Sequence, residues 1–301
     1  MSHPQLQRGS LAPAMVERTR HALACGAMRP IETTEEIVPE AGVEFIVRRV
    51  SSLARKDLDS KRSAPDAVPA NPFLPHEPDL FVADVSESHF ALLNKFNVIE
   101  QHLLIVTRAF VDQETLLDAG DFEALAACMA EVDGLAFYNG GAVAGASQPH
   151  KHLQLVPLPL GGTGPPLPVE ALFESVKARA GVVQVPGLPF DHAFFWLDRP
   201  AFDDAGVAAR RMHACYRELF AAAGLKAVQT GGEARQSGPY NLLVTRRWML
   251  LVPRRKERFD SIAVNALGFA GSLFVRDEAQ LALLKRAGPM AVLRETAIAR
   301  A

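Results

Sequence analysis

The sequence predicts an α+β protein in which an antiparallel sheet is flanked by helices. Its 301 residues are 49% hydrophobic and 22% charged, a balance typical of globular chains, and a chain of this length buries a large core without disulfides. The order strand, strand, helix, strand, strand is predicted for residues 89–156, and a similar order is predicted for residues 193–253. This echo is consistent with two fused repeats, the second degenerate, or with two α+β segments that merely look alike.

The elements of the first half follow from the spacing of apolar residues and from the positions of proline. Five prolines between residues 65 and 78 argue against regular structure in the segment 51–79. Around this segment we expect a helix at 14–25, strands at Val43–Val50, His89–Asn94 and Gln101–Thr107, a helix at Asp121–Val132 with Asp121 as its N-cap, and strands at Leu135–Tyr138 and His150–Val156.

The second half is predicted from the same periodicities. We expect a strand at Ala193–Leu197, a helix at Asp204–Ala223, strands at Tyr240–Thr245, Trp248–Val252 and Leu267–Val275, and two helices at the C-terminal end. Placing Pro253 over Pro157 sets the apolar run Trp248–Val252 over His152–Val156. A second repeat would therefore lack the polar side chains of the first.

The charge balance excludes partners that need a strong field. The chain has 32 basic and 34 acidic residues and a net charge of −2, so we expect neither nucleic acid nor a membrane surface as a partner. The longest apolar run, Ile262–Val275, is shorter than the roughly 20 residues of a membrane-spanning helix. The polar segment Met1–Ser10 lacks the apolar core of a secretory signal.

Cysteine usage favours a reducing compartment. Cys25, Cys128 and Cys215 are far apart in the chain and form no Cys-x-x-Cys motif. This spacing argues against a disulfide framework and against a sulfur-ligated zinc site. We therefore expect a cytoplasmic protein.

The clearest chemical motif is Gly-Ala-Ser-Gln-Pro-His-Lys-His-Leu-Gln at residues 145–154. On a strand, His150, His152 and Gln154 share one face, roughly 6.5–7 Å apart, while Lys151 and Leu153 face the other way. Two imidazoles and an amide can then line one extended ligand. Two histidines at i and i+2 are also a metal-ligand spacing, but no further ligand stands nearby, so no protein metal site is expected.

A loop rich in glycine precedes this strand. Residues 139–148 contain three glycines and, apart from Val143, no bulky side chain. Glycine lets the backbone approach a ligand closely and point N–H groups at an anion. The loop matches neither a P-loop nor a Rossmann fingerprint, and alone it is a generic turn. Joined to the histidine strand, it predicts a phosphate cradle beside a nucleophile.

These residues resemble a known family. His150-Lys-His152-Leu-Gln154 resembles the histidine-triad signature in the form where glutamine replaces the last histidine, which marks the nucleotidyltransferase branch. More specifically, the chain is similar to the ATP adenylyltransferase, or diadenosine tetraphosphate phosphorylase, family. The similar segments, in chain order, are 52–56, 93–98, 137–141, 145–154, 241–256 and 265–271.

The resemblance implies a histidine-triad-like sheet and a two-step reaction. Diadenosine tetraphosphate (Ap4A) and inorganic phosphate become ATP and ADP, reversibly, through a covalent adenylyl-histidine. By this similarity His152 is the nucleophile, Gln154 contacts the phosphate under attack, and His150 orients the strand and the nucleophile. A neutral imidazole attacks phosphorus well, provided that its other nitrogen is held as a donor, which a backbone carbonyl near His150 would do.

The resemblance also implies a set of nucleotide-binding residues. Asn94 and Lys95 would hold the first nucleotide, and Lys56 would reach the polyphosphate. The first phosphates would be surrounded by Asn139, Gly145, Ala146, Ser147 and Gln148. The remaining nucleotide would be held by Asn265, Ala266, Leu267, Ser272 and Arg276. Family members often carry methionine at the position of Ser272 and lysine at that of Arg276.

We expect residues 1–168 to form the catalytic unit, with the irregular segment 51–79, and residues 169–301 to complete the nucleotide site. A divalent cation, magnesium foremost, would accompany the nucleotide, with no tightly bound cofactor. The basic run 254–256 would either contribute positive charge for the polyphosphate or form a solvated charged edge, and the edge is the favoured interpretation.

Two alternatives remain at this point. One is an enzyme similar to galactose-1-phosphate uridylyltransferase, which also uses a His-x-His-x-Gln strand but has a different longer pattern. The other is a non-catalytic nucleotide sensor in which His152 only contacts phosphate. The sequence does not determine the oligomeric state or the preferred dinucleotide.

Overall fold

The computed structural model describes residues 6–51, 71–177, 179–197 and 204–300. The elements of the first half are α1 (Leu11–Ala24), β1 (Thr33–Glu40), β2 (Val43–Val50), a 3₁₀ helix (Pro78–Leu80), β3 (Phe81–Asp84), β4 (His89–Leu93), β5 (Leu103–Thr107), α2 (Ala119–Glu131), β6 (Gly134–Gly140), a 3₁₀ helix (Ala142–Ala144) and β7 (His152–Pro157).

The second half begins with a 3₁₀ helix (Pro168–Val176). It continues with β8 (Val182–Val183), β9 (Ala193–Trp196), α3 (Ala205–Ala222), β10 (Ala227–Thr230), β11 (Glu233–Gln236), β12 (Tyr240–Val244), β13 (Trp248–Pro253), β14 (Arg258–Phe259), β15 (Ile262–Ala263), α4 (Ala266–Phe269), β16 (Ser272–Val275), α5 (Glu278–Ala287) and α6 (Pro289–Thr296).

A nine-stranded antiparallel sheet runs through both halves in the order β3-β4-β5-β7-β6-β12-β13-β9-β8. The halves meet where β6 pairs with β12, and the order β5-β7-β6 is mirrored on the other side as β9-β13-β12. Each half also inserts one long helix at the same point of its strand order, α2 before β6 and α3 before β12. The predicted α+β class with an antiparallel sheet is confirmed, and this mirrored order is the one that two fused repeats predict.

The two faces of the sheet are covered differently. Helices α1, α2 and α3 cover one face and build one hydrophobic core with it. On the other face a second core is formed with the small sheet β1-β2-β16 and with the C-terminal helices. Since β16 pairs in parallel with β2, the last third of the chain is tied to the first 50 residues. Near β4 and β5, this second face also carries a small separate cluster around Phe73.

Several predicted boundaries differ from the structure by a few residues, as at α1, which begins at Leu11, and two of the differences have a local cause. Helix α2 begins two residues earlier than expected because Asp118, not Asp121, is its N-cap. Asp118 accepts the N–H of Asp121 at 3.1 Å, and the Asp121 carboxylate accepts the N–H of Asp118 at 2.8 Å, which closes a capping box. The predicted strand Leu267–Val275 is a short helix followed by β16, because Asn265 caps the helix by accepting the N–H of Leu267.

Short or edge elements escaped the sequence-based prediction. The two-residue strands bury few residues, and the hairpin β10–β11 has mostly exposed or half-buried side chains, so its apolar pattern is weak. Among the helices in the described ranges, none combines the length and the hydropathy needed to cross a membrane.

Candidate active site

Strand β7 presents His152 and Gln154, two of the three side chains of the predicted polar row, whereas His150 precedes the strand. His152, Gln154 and Val156 point to the face of the second core, whereas Leu153 and Leu155 point into the first. Lys151, on the opposite face from the histidines, donates to Asp121 of α2 at 2.5 Å and to the carbonyl of Leu116 at 2.8 Å. This buried ion pair anchors the start of the strand to the helix layer.

The His152 imidazole is held in one tautomer. Its Nδ1 lies 2.8 Å from the carbonyl oxygen of His150, so Nδ1 donates and Nε2 keeps its lone pair. The side chain is 4% exposed and lines a cavity, and the ring of Phe73 lies 5.3 Å away. Burial lowers the pKa of His152 to about 4, so the ring is neutral at pH 7. The backbone carbonyl expected near His150, which accepts the N–H of the ring, is therefore present.

The side chain of His150 is not among the residues that line the cavity. Its Nε2 lies 2.8 Å from the carbonyl of Thr107, and its Nδ1 accepts from the Asn71 amide at 3.0 Å. Burial lowers the pKa of His150, and a neutral ring with Nε2–H satisfies both contacts. This geometry fits a residue that orients the strand rather than one that contacts a reacting atom.

Gln113 bridges the two strands of the site. The pairing of β6 with β7 ends at Phe137 and Gln154, which leaves the backbones of Asn139 and His152 without a ladder partner there. The Gln113 side chain accepts the N–H of His152 at 2.9 Å and donates to the carbonyls of His152 and Asn139 at 3.2 and 3.0 Å. It thereby sets the separation of the two strands where the cavity opens.

The side-chain amide oxygen of Asn139 is held by two hydrogen bonds. Its Oδ1 accepts from Nδ2 of Asn241 at 2.8 Å and from the N–H of Ala266 at 3.0 Å. Asn139 lines the cavity. In the part of the chain that the structure describes, its Nδ2 has no hydrogen-bond partner, so this group is available to a ligand in the cavity. The amide is therefore set up as a donor, which suits an anionic ligand.

Arg254 is the buried hub behind Asn139. It is 2% exposed and donates from Nη1 to the Asn241 amide oxygen at 2.6 Å. Its other acceptors are the carbonyls of Thr296, Ala144, Lys256, Glu257 and Val264. Burial lowers the pKa of Arg254 to about 10, still well above pH 7. The prediction of a solvated edge at 254–256 was wrong for Arg254, since the guanidinium ties the end of β13 to Ala144 of the glycine loop and to Val264 just before α4.

The glycine loop follows β6 directly. Gly141 and Gly145 have φ values of 91° and 93°, and a Cβ on Gly145 would lie 2.8 Å from Cβ of Asn265. Glycine is therefore required at position 145 both by the conformation and by the close approach of Asn265, the N-cap of α4. Ala146 does not line the cavity, and its N–H donates to the carbonyl of Gly141 at 3.2 Å.

The predicted residues meet in one cavity of about 430 Å³, a volume typical of small-molecule sites. Those that line it are Asn94, Lys95, Asn139, Gly145, Ser147, Gln148, His152, Gln154, Asn265 and Leu267. Ala266 contributes through its N–H to Asn139 rather than as a lining side chain. Lys95 donates to Glu77, also a lining residue, at 2.6 Å.

Two predicted contacts are not brought to this cavity. Ser272 is fully buried, and its hydroxyl accepts from Nη1 of Arg48 at 2.6 Å, so it serves the small sheet. Arg276 lines a separate depression beside α5 with Asp260 and Gln280. Lys56 lies outside the described residues, and its predicted contact with polyphosphate stays a prediction.

The family assignment follows from comparison along the whole chain. The Ap4A phosphorylase N-terminal domain profile matches residues 1–175, and the ATP adenylyltransferase C-terminal domain profile matches residues 186–299. The chain belongs to the Ap4A phosphorylase family. The predicted family is thereby confirmed.

Individual relatives agree with this assignment. Diadenosine 5',5'''-P1,P4-tetraphosphate phosphorylase 2 of Saccharomyces cerevisiae is 28% identical over 268 residues, which cover 81% of this chain and 79% of that protein. The crystal structure of yeast Ap4A phosphorylase Apa2 superposes with a TM-score of 0.79 at 20% identity, covering 99% of both chains. Apa2 in complex with Ap4A gives 0.78 at 21% identity, again over 99% of both. These structures share the fold of this chain.

The sequence did not place three residues at the site: His102 and Gln113 were not singled out, and Arg254 was predicted at a solvated edge. His102, Gln113 and Arg254 all lie within or behind the cavity of this Ap4A phosphorylase family member. His102 directly precedes the apolar run of β5. This position predicts the start of a strand, but it does not show which other strand pairs with β5. Gln113 lies in an irregular segment, and Arg254 in a basic run, so neither carried a periodic signal.

Proposed function

We propose that this chain is a nucleotidyltransferase that catalyses the reversible phosphorolysis of Ap4A to ATP and ADP through a covalent adenylyl-His152. The observation that carries this proposal is the hydrogen bond from Nδ1 of His152 to the carbonyl of His150, at 2.8 Å. It leaves the Nε2 lone pair of a neutral imidazole as the nucleophile at the cavity.

The proposed reaction has two balanced steps. Nε2 of His152 attacks the phosphorus next to one adenosine and breaks the bond to the bridging oxygen, so that ATP leaves and an adenylyl group stays on the ring. Inorganic phosphate then attacks the same phosphorus, the nitrogen–phosphorus bond breaks, and ADP is released. The carbonyl of His150 stabilises the cationic ring of the intermediate through the Nδ1–H.

Gln154 fits a transferase rather than a hydrolase. A carboxamide donates a hydrogen bond to phosphoryl oxygens but does not titrate, so it cannot accept a proton from an attacking water. Inorganic phosphate needs no such help because it attacks as an anion. The enzyme-bound adenylyl group would therefore persist until phosphate arrives.

The charge of the cavity supports a metal ion bound with the substrate. Among the described residues that line it, the charged side chains at neutral pH are Lys95 and Glu77, which neutralise each other at 2.6 Å. A tetraphosphate bridge brings several negative charges, so we propose that it enters with a divalent cation, magnesium, and that Lys56 adds a further positive charge. Magnesium would supply charge neutralisation along the bridge.

Relatives support the choice of substrate. The homologue from Saccharomyces cerevisiae is named a diadenosine tetraphosphate phosphorylase, and the structure of Apa2 has been determined in complex with Ap4A. We also propose a cytoplasmic location, supported by three cysteines that are all free, and no nucleic acid or membrane partner, supported by the net charge of −2.

The deciding experiment compares Ap4A turnover with and without inorganic phosphate. We expect slow turnover alone and rapid formation of ATP and ADP with phosphate, measured by ion-exchange chromatography of the products. Adenine-labelled Ap4A without phosphate should leave label on the denatured protein, and His152→Asn should leave none. Rapid release of AMP that is indifferent to phosphate would identify a hydrolase instead, and binding of Ap4A with no turnover in any condition would identify a sensor.

A further inference from the structure

His102 touches the reaction site without a role in the chemistry proposed above. Its side chain is 8% exposed, lines the cavity and lies against Phe137, with 5.8 Å between ring centroids. Nε2 of His102 is 2.9 Å from Oε1 of Gln154, and Nδ1 is 3.2 Å from Nδ2 of Asn94. One imidazole therefore links two carboxamides of the site.

The direction of these hydrogen bonds is determined from the Asn94 end. Oδ1 of Asn94 accepts the N–H of Phe96 at 3.1 Å, so Nδ2 is the group that faces His102. An amide NH₂ can only donate, and Nδ1 of His102 must accept. The neutral ring then carries its proton on Nε2 and donates it to Oε1 of Gln154. Burial lowers the pKa of His102 to about 4, which keeps the ring neutral at pH 7.

We propose that His102 is a positioning residue that holds the Gln154 carboxamide with Oε1 inward and the Nε2 amide group towards the phosphoryl group under attack. The inference rests on the proposed function, in which Gln154 contacts that group. A carboxamide has two orientations of similar shape and opposite hydrogen-bonding character. The reversed one would point lone pairs at phosphoryl oxygens, which repel them.

The second repeat offers an internal comparison. The β5 residue opposite His152 and the β9 residue opposite Trp248 each lie four positions after a histidine, His102 and His192 respectively. Since Trp248 takes the place of His152 in the second repeat, the two histidines occupy equivalent positions. Because the two histidines have the same position in the fold, a difference between their hydrogen bonds reflects a difference between the residues around them.

The ring of His192 carries its proton on the other nitrogen. Its Nδ1 lies 2.8 Å from the carbonyl of Phe190, and its Nε2 accepts the N–H of Val185 at 2.7 Å. In the second repeat Leu250 stands in place of Gln154, and there is no amide oxygen to receive a proton. The Nε2–H tautomer of His102 therefore accompanies the glutamine and is not a general property of this fold position.

The first test reads the tautomer directly and does not depend on turnover. Nitrogen-15 spectra of histidine-labelled wild-type protein near pH 7, assigned with His102→Phe and His192→Phe, should show His102 protonated on Nε2 and His192 on Nδ1. A His102 ring protonated on Nδ1, or on both nitrogens, would overturn the proposal. Because this result needs no substrate, it stands apart from any failure of the proposed activity.

The second test asks whether His102 acts through Gln154. We expect His102→Phe to lower the rate of adenylylation about tenfold with a smaller change in KM, and to lower it no further in a Gln154→Ala background. His102→Gln, whose amide can donate from near the place of Nε2, should recover much of the rate. His192→Phe is the matched control and should leave the rate unchanged. Losses that add in the double variant would overturn the proposal, and melting temperatures of all variants identify any that fail to fold.

Discussion

Nδ1 of His152 lies 2.8 Å from the carbonyl oxygen of His150, two positions earlier in the same chain segment. This bond assigns the donor nitrogen of the ring and leaves Nε2 for the cavity. It comes from the backbone, so it survives any change of the His150 side chain. The two histidines of the motif therefore differ in how much each side chain matters.

The first prediction separates these two histidines. His152→Asn should abolish labelling of the protein by adenine-labelled Ap4A while Ap4A binding, measured by calorimetry, persists. His150→Ala should reduce labelling only in part, because the carbonyl that orients His152 is retained and the lost contacts are to Thr107 and Asn71. Equal loss in both variants would contradict the distinction.

The second prediction concerns pH. Burial lowers the pKa of His152 to about 4 from the ordinary value of 6.5, so the free enzyme keeps a neutral nucleophile through pH 6.5. We expect kcat/KM for adenylylation by Ap4A to remain level from pH 8 to below 6 and to fall only towards pH 4. Each phosphate of Ap4A carries two substituents and a single strongly acidic group, so none of the four titrates in this range. A midpoint near 6.5 would contradict a desolvated His152.

The pH dependence of the folding stability should be set in part by the same buried histidines. His152 and His102 both have a pKa of about 4 when folded and about 6.5 when unfolded, so the unfolded chain binds more protons between these values. The contribution of these histidines to the free energy of unfolding should therefore be at its maximum above pH 6.5 and should decrease as the pH falls towards 4. Urea titrations at several pH values measure it, and His102→Phe should show the shallower dependence.

The third prediction tests the donor role of Asn139. Asn139→Asp keeps an oxygen acceptor for Asn241 and for the N–H of Ala266 but replaces the cavity-facing amide group by a negative oxygen. The KM for Ap4A should rise about tenfold or more, which corresponds to ~1.4 kcal/mol or more, because a donor to a charged group becomes a repulsive charge. Asn139→Ala should have a smaller effect. Added salt should reduce the difference in KM between the two variants, because it screens the introduced charge. An identical KM in both variants would refute the donor role.

The fourth prediction concerns Gln154. Gln154→His should lower phosphorolysis and raise the release of AMP without phosphate, because an imidazole can accept a proton from water where a carboxamide cannot. Chromatography of products with and without phosphate measures both rates. Gln154→Glu is a useful companion, since it tests a titratable group of the original length. Unchanged partition between ADP and AMP in Gln154→His would show that the identity of residue 154 does not select the acceptor.

Elements with strong local signals could be predicted from the sequence. The strand Val43–Val50 was predicted with its observed bounds, because apolar residues recur along its whole length. The polar row on β7 was predicted because a strand alternates its side chains whatever its neighbours are. The start of α2 was missed by two residues because Asp118 and Asp121 are both good capping residues, and only the folded backbone chooses between them.

The sequence by itself determined the fold class, the family and the chemistry of the motif, because periodicity and short-range spacing are written along the chain. Tertiary structure alone decided which distant groups support that motif. His102 reaches Gln154 across 52 positions because β5 pairs with β7, and Arg254 reaches the 139–148 loop because β12 and β13 lie beside β6. Such contacts depend on strand pairing and on the burial of charge between layers, and no local pattern encodes either.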